Sequence, residues 1–175
     1  MPTEIVASPI AGVRIWRPQV HADPRGRFVE VFRSAAVPEP MAQSNHSRSA
    51  AGALRGLHYH RHQADLWYLV SGRARVALAD LRRPVAAPVT HTFDLDGDEP
   101  TAVYVPSGVA HGYLAVTEID LIYWVTREYD PADEHGVAWD DPTLHIDWQL
   151  DTAPLLSERD AQNPALQWDL IPAFS

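Results

Sequence analysis

The chain has 175 residues, and 23 acidic against 14 basic side chains give it a formal net charge of −9. This charge argues against nonspecific nucleic-acid binding, and the absence of cysteine excludes disulfides and thiolate chemistry. Every basic residue is arginine, which excludes a side-chain Schiff base but still suits the capture of a phosphate or carboxylate.

The length predicts a single domain over residues 1–175. No apolar run approaches the roughly 18 residues of a transmembrane helix. The first four residues, MPTE, lack the basic region and following apolar segment of a signal peptide. We therefore expect a cytoplasmic protein with neither a membrane nor a nucleic acid as partner.

Turn-forming residues divide the chain into many short segments. Its fifteen prolines and nine glycines are distributed in a way typical of an all-β sandwich or barrel. In chain order, strands are predicted at 27–32, 73–81, 102–105 and 119–126.

Alternation of apolar residues predicts which face of each strand is buried. In the strand over 119–126, Leu121, Tyr123 and Val125 share one face, and Trp124 lies on the other. An inward tyrosine is most simply a core residue with its hydroxyl at the rim, so a structural role for Tyr123 stays open beside a chemical one.

The C-terminal tail, roughly residues 153–165, is predicted to form a short helix or two. Ser157 is a candidate N-cap before Glu158 and Asp160. A carboxylate in the first helical turn is favourable through the helix dipole, which provides an ordinary structural explanation for Asp160.

Two segments place histidine on or beside β-favouring sequence: residues 55–60, RGLHYH, and residues 106–112, PSGVAHG. A half-buried imidazole can act as a base, an acid or a ligand. Together the segments predict a small β-barrel with polar side chains in its mouth, where such barrels hold ligands.

Part of this histidine set could bind a metal. His58 and His60 point to one face of a strand, and Asp65 and His111 extend them to the ligand order of the metal-binding cupins. Three nitrogens and one oxygen would suit Fe, Mn, Zn or Ni. With nine histidines in the chain, however, some can be merely packed or solvated. No metal is assigned from the sequence.

An ordered set of motifs extends over most of the chain, from about residue 10 to 165. The set comprises Asp23-Pro24-Arg25-Gly26-Arg27-Phe28-Val29-Glu30, Gln43-Ser44-Asn45 with Ser47, Arg55-Gly56-Leu57-His58-Tyr59, Asp80-Leu81-Arg82, Val105-Pro106-Ser107-Gly108-Val109-Ala110-His111-Gly112, Tyr123 with Tyr129-Asp130-Pro131, Asp141-Pro142, Ile146-Asp147-Trp148 and Ser157-Glu158-Arg159-Asp160. With it the chain resembles the dTDP-4-dehydrorhamnose 3,5-epimerase family of nucleotide-sugar epimerases. The resemblance implies an all-β cupin (jelly-roll) barrel with short C-terminal helices.

The same resemblance implies an isomerase that acts on a dTDP-4-keto-6-deoxyhexose at C3, C5 or both, without a cofactor. The C4 ketone acidifies the neighbouring C–H bonds; a base removes a proton to give an enolate, and an acid returns one to the opposite face. His58 matches the family's base, Asp160 the carboxylate that orients it, and Tyr123 the acid.

For substrate binding, the resemblance implies residues on several segments. The expected set is Arg25, Phe28 and Glu30 at the nucleotide, Gln43, Asn45 and Arg55 near the sugar and phosphates, His111 in the same pocket, and Tyr129 at the thymine. In the family the N-terminal strand crosses to a second subunit, so a homodimer is implied; such a dimer would also protect sheet edges.

Three departures from the family pattern bear on activity. The family usually has a lysine seven residues before the glycine that matches Gly72, and that lysine is placed to stabilise the enolate oxygen. Here the residue is Asp65. Its negative charge would oppose the enolate unless the Asp65 carboxylate is protonated, turned away or bound to metal. Val76 stands where the family usually has aspartate. The loop after His58 is shorter than usual, and His60 replaces a common glutamine.

Two interpretations follow. In the favoured one, His58 and Tyr123 still transfer protons while another donor supports the enolate oxygen, and the protein is a variant 3-epimerase or 3,5-epimerase. The other donor could be His60, His111 or water. In the alternative, epimerisation is lost and the scaffold binds a metal or only a nucleotide sugar. A purely structural protein is disfavoured because the retained base, acid and carboxylate would then have no use.

Overall fold

The structure is a computed structural model that describes residues 4–85, 87–172 and 174. Its strands are β1 (Glu4–Val6), β2 (Arg14–Arg17), β3 (Val20–Asp23), β4 (Gly26–Val29), β5 (Gln43–Ser49), β6 (Leu54–Tyr59), β7 (Asp65–Ser71), β8 (Arg73–Asp80), β9 (Thr90–Asp96), β10 (Ala102–Val105), β11 (Val109–Ala115), β12 (Ile119–Val125) and β13 (His135–Gly136). The helical elements of this part of the chain are a 3₁₀ turn at Ser34–Ala36 and α1 at Glu158–Ala161. None of its helices is long and apolar enough to cross a bilayer.

Two antiparallel sheets form the body of the molecule. One has the order β1-β2-β10-β7-β12-β5, the other β13-β6-β11-β8-β9, and β3 and β4 form a separate hairpin. The main core lies between the sheets: Trp67 and Leu121 of the first pack with Val76 and Tyr113 of the second. This arrangement confirms the predicted all-β, jelly-roll architecture.

A second core covers the outer face of the five-stranded sheet. Ala77 and Ala79 of β8 pack there with Leu144 and Trp148, which follow the last strand. Because the C-terminal segment lies on this face, α1 is held against β6. Small alanines on β8 leave room for the large side chains that cover them.

The strand predictions agree closely with the structure, with one exception. Residues 102–105 form a strand as predicted, and β8 and β12 each end one residue before the predicted end. The strand predicted over 27–32 is instead the shorter β4, which ends at Val29. β3 begins at Val20, which lies opposite Val29, so the chain beyond Val29 has no strand partner in the hairpin. There Nε and one terminal nitrogen of Arg33 donate to Glu30 at 2.8 and 2.7 Å before the 3₁₀ turn.

The C-terminal tail contains one four-residue helix among its described residues, in agreement with the prediction of a short helix or two. The Ser157 hydroxyl accepts a hydrogen bond from the backbone N–H of Asp160 at 3.0 Å, which confirms the predicted N-cap. Pro164 disfavours helical backbone at Asn163, which limits how far the helix can extend.

Candidate active site

A cavity of about 310 Å³ opens in the β-barrel, and its walls carry both polar and apolar side chains. Five strands, β5, β6, β7, β11 and β12, contribute side chains to it. The polar and aromatic lining residues are Gln43, Asn45, Ser47, Arg55, His58, His60, Gln63, Asp65, Trp67, His111, Tyr113, Tyr123, Tyr129 and Glu134. Its volume is in the range of small-molecule sites.

His58 on β6 forms a hydrogen bond with a carboxylate 102 residues away in sequence. Its Nε2 lies 2.5 Å from Oδ1 of Asp160, which is buried at the start of α1. Because an ionised carboxylate can only accept, Nε2 carries the hydrogen and Nδ1 keeps its lone pair. Burial alone would raise the pKa of Asp160, but the hydrogen bond and charge of His58 lower it below its ordinary value of 3.8.

Two glycines permit the close strand approach that positions this histidine. Gly56 has φ +123°, and a Cβ there would lie 2.7 Å from the Gly112 Cα and 2.8 Å from the His111 carbonyl oxygen. The β6–β11 pairing shifts register at this point and sets His58 opposite His111. Since no side chain fits between the two backbones, glycine is required at position 56.

Tyr123 projects from β12 into the same cavity. Its neighbours in the sheet are Asn45 on β5 and Trp67 on β7. Burial raises the pKa of the Tyr123 phenol, and the charge of Asp65 adds to that effect, so the phenol is protonated at neutral pH. A protonated phenol that lines the same cavity as a histidine with a free lone pair can serve as an acid beside that base.

Five of the residues expected to bind substrate also line the cavity: Gln43, Asn45, Arg55, His111 and Tyr129. Gln43 connects two of them, because its amide donates to Asn45 at 2.7 Å and accepts from the Tyr129 backbone at 3.1 Å. Arg55 donates through Nε to Ser49 at 3.0 Å.

Three expected binding residues lie elsewhere in the single chain. Arg25 is 89% exposed in its side chain and pairs with Asp23 at 2.6 Å. Phe28 is 67% exposed and, with Glu30, lines a second groove away from the cavity. Within one chain the β3–β4 hairpin therefore does not bring these residues to His58, and β1 pairs with β2 of the same chain.

Asp65 lies in the cavity at the position of the family lysine. Its Oδ1 accepts from Gln63 at 2.9 Å and its Oδ2 from the Trp67 indole at 3.3 Å. One possible ligand atom from each of His60, Asp65 and His111 lies within 4.8 Å of the others. His58, the fourth member of the possible metal set, is outside this group. Val76, the second departure from the family pattern, is fully buried in the apolar core.

Sequence reasoning missed several cavity residues. Tyr113 and Trp67 are each two residues beyond a candidate site residue on the same strand, His111 and Asp65, so strand periodicity could have found them. Glu134 carries no such signal. It lies after β12 and accepts from Arg159, a contact set only by the packing of the C-terminal segment.

Comparison with known proteins identifies the family over most of the chain. The family model described as dTDP-4-dehydrorhamnose 3,5-epimerase matches residues 7–167. The chain is 37% identical over 168 residues to the dTDP-4-dehydrorhamnose 3,5-epimerase of Pseudomonas aeruginosa, covering 89% of this chain and 92% of that protein.

Two further similarities are informative. The dTDP-4-dehydro-6-deoxyglucose 3-epimerase of Streptomyces bikiniensis is 35% identical over 170 residues, covering 90% of this chain and 86% of that protein. A crystal structure of the Legionella pneumophila dTDP-6-deoxy-D-glucose-3,5-epimerase in complex with dTDP-4-keto-L-rhamnose superposes with a TM-score of 0.89 at 28% identity, covering 98% of both chains.

Proposed function

The chain belongs to the dTDP-4-dehydrorhamnose 3,5-epimerase family, and from this premise we propose that it inverts a dTDP-linked 4-keto-6-deoxyhexose at a carbon next to the C4 ketone. The observation that carries the proposal is the His58–Asp160 hydrogen bond beside a cavity that Tyr123 also lines. This combination supplies a base, a group that holds it and an acid.

The reaction needs one proton removed and one returned. Nδ1 of His58 takes the proton from the carbon, and the electron pair of the C–H bond moves to the C4 oxygen as an enolate. The Tyr123 phenol then gives its proton to the same carbon on the opposite face, and the ketone re-forms. Before the next turnover the imidazolium releases its proton to solvent and the phenolate regains one.

Asp160 has a positioning role in this scheme. Its carboxylate accepts from Nε2 of His58, which holds the ring with Nδ1 free, and its negative charge stabilises the imidazolium once it has formed. The N-cap hydrogen bond from the Asp160 backbone to Ser157 fixes the start of α1 and with it the carboxylate.

Nucleotide binding is assigned to the polar residues at the cavity and to the hairpin of a second subunit. The cavity residues that would contact the sugar, phosphates or thymine are Gln43, Asn45, Arg55, His111 and Tyr129. Among them, the Arg55 guanidinium can donate hydrogen bonds to the oxygens of the diphosphate. The exposed Arg25 and Phe28 would bind the nucleotide in the cavity of the partner of a homodimer. A cytoplasmic location fits the biosynthetic chemistry and stays a prediction.

Deuterium exchange tests the reaction. Incubation with dTDP-4-keto-6-deoxyglucose in D₂O is expected to introduce deuterium at C3, or at C3 and C5, as measured by proton NMR and mass spectrometry. The pattern distinguishes a 3-epimerase from a 3,5-epimerase. Binding of dTDP without exchange on any dTDP-4-ketohexose would contradict the proposal.

Subunit mixing tests the shared site. Two inactive variants, His58→Asn and the double variant Arg25→Ala with Phe28→Ala, are unfolded together and refolded. Half of the dimers then contain one subunit of each variant. In such a dimer one of the two sites combines an intact His58 with an intact hairpin, so about a quarter of wild-type activity should return. Each variant refolded alone is the control. No recovery in a mixture that forms dimers would contradict the shared site.

A further inference from the structure

We infer that His60, Asp65 and His111 form a binding site for one divalent first-row transition metal ion inside the cavity. The inference rests on the proposed function for the role of the ion but not for its binding. Each of the three offers a ligand atom, and these atoms lie within 4.8 Å of one another. Two imidazole nitrogens and a carboxylate oxygen are a common ligand set for iron, zinc and manganese.

Each of the two imidazoles uses one ring nitrogen in a hydrogen bond and keeps the other free to bind a metal. Nδ1 of His111 lies 2.9 Å from the Val109 carbonyl oxygen, and Nδ1 of His60 lies 3.0 Å from the Asp133 carbonyl oxygen. Because a carbonyl can only accept, Nδ1 carries the hydrogen in both rings. Each Nε2 therefore keeps the lone pair through which a neutral imidazole binds metal.

These carbonyl contacts are also the outer contacts that metal-binding histidines usually have. A backbone carbonyl that accepts from the second ring nitrogen fixes the tautomer and the ring orientation before the metal arrives. At His60 the carbonyl is itself held, because the Asp133 carboxylate accepts from the backbone N–H groups of Arg61 and His62 at 2.8 and 3.0 Å. The ligand set is thus oriented by the backbone.

Between His111 and Asp65 the structure has two acceptors and no hydrogen bond. Nε2 of His111 lies 3.8 Å from Oδ2 of Asp65, and both side chains are buried. A lone pair facing a carboxylate is unfavourable in a buried site unless a proton or a metal ion lies between them. The 3.8 Å separation is too long for a proton shared in a hydrogen bond but leaves space for an ion. Around an ion bound at about 2.1 Å, neighbouring ligand atoms lie about 3 to 3.5 Å apart, so the group closes by roughly 1 Å on binding.

The charge of the cavity gives the ion a role. Asp65 and Glu134 are its acidic lining residues and Arg55 is its basic one, while Glu134 is already paired with Arg159. An enolate would add a further negative charge to these walls. Three protein ligands leave a coordination position open toward the cavity, where a divalent ion would supply the positive charge that the C4 oxygen needs.

Metal titration tests the site without any sugar. Chelator-treated, dialysed protein is titrated with Zn²⁺ by calorimetry and with Co²⁺ by visible absorption. We expect one equivalent to bind and the cobalt spectrum to show nitrogen and oxygen ligands. Failure of both ions to bind the metal-free wild-type protein would overturn the inference.

Variants separate this site from adventitious binding. Asp65→Asn keeps the shape of the side chain but removes its charge, and it should weaken Zn²⁺ binding by more than about 100-fold. The matched control is Asp120→Asn, because Asp120 also pairs with a histidine, His46, at 2.9 Å but on the surface. Equal Zn²⁺ affinity in wild type and Asp65→Asn would overturn the site.

Exchange measurements distinguish failure of the ion's role from failure of the proposed function. Deuterium exchange should fall at least 10-fold on metal removal and return with one equivalent of ion. In Asp65→Lys, which places a side-chain cation there, exchange should no longer depend on metal. Full exchange by metal-free wild type would overturn the ion's role. Metal binding that Asp65→Asn abolishes, with no exchange under any condition, supports the site but contradicts the proposed function.

Discussion

Two histidine–carboxylate pairs face the same cavity, and they differ in which ring nitrogen is used. In the first, Nε2 of His58 contacts Asp160 at 2.5 Å as a hydrogen-bond donor. In the second, His111 donates through Nδ1 to a backbone carbonyl and leaves Nε2 facing Asp65 at 3.8 Å without a hydrogen bond. The first geometry is the one that we propose for moving a proton, and the second is the one that we propose for binding a cation.

The difference shows that residue type alone does not assign a role. Both carboxylates are buried and both histidines lie on neighbouring strands, β6 and β11. The Val109 carbonyl takes the one N–H of His111, whereas the described residues offer the His58 ring only a carboxylate as hydrogen-bond partner. The environment of the second nitrogen therefore decides what the first can do.

Removing the base should have the largest effect. His58→Asn is expected to reduce deuterium exchange by about 10³-fold, since a positioned base contributes on the order of 10²–10⁴ in rate. The measurement is the exchange rate at saturating substrate. His62→Asn, at an exposed histidine four residues away, is the control and should exchange normally. Equal rates in the two variants would remove His58 from the mechanism.

Removing the acid should affect epimerisation more than deuterium exchange, whereas His58→Asn lowers both. Tyr123→Phe keeps the base, so the proton can still leave carbon and return to the same face. We expect the epimerised product to fall by about 10²-fold while exchange with retained configuration falls less. Chiral analysis of the deuterated sugar gives both values. An equal loss of both would indicate that Tyr123 does not act as the acid of the second face.

Asp160→Asn tests the orienting carboxylate through activity and through stability. Activity should fall about 10- to 100-fold. The free energy of unfolding at pH 7 should fall by about 1–3 kcal/mol with the loss of a charged hydrogen bond. Urea unfolding of both proteins gives the difference.

The pH dependence of that difference has a defined sign. The pKa of Asp160 is lower in the folded state than its ordinary value of 3.8. Its stabilising contribution is therefore complete above that value and is lost as the pH falls through the folded pKa. Wild type and Asp160→Asn should converge in stability as the pH falls below 3.8 and passes through the lowered pKa of Asp160. A difference that stays constant with pH would mean that ionised Asp160 does not stabilise the fold.

The last prediction concerns stability alone and tests the close approach of β6 and β11 that sets both pairs. Gly56→Ala should lower the free energy of unfolding by about 1–3 kcal/mol, because its Cβ would overlap the β11 backbone. Gly52→Ala is the matched control: Gly52 also has positive φ, but a Cβ there meets nothing within 4 Å. If the two variants unfold at the same denaturant concentration, backbone strain alone explains the cost.

Local sequence could predict much of the fold. The alternation in β12 indicated that Leu121, Tyr123 and Val125 share a face, and all three line the cavity. The Ser157 cap was also visible, because capping depends on residues within one helical turn. The prediction failed at residues 27–32, where the side chains continue to favour a strand but pairing with the hairpin partner β3 ends at Val29.

The sequence by itself determined three of the four strands predicted from it, the shared face of Leu121, Tyr123 and Val125, and the ordered motifs of the family, because these depend on neighbours along the chain. Only the tertiary structure brings Asp160 to His58, a contact that the family resemblance implied but that no local pattern predicts. It also decided that His60, Asp65 and His111 form a group without His58. It also placed the Arg25 hairpin away from its own cavity. Such contacts depend on how distant segments pack on the two sheets, and no spacing in the sequence encodes that packing.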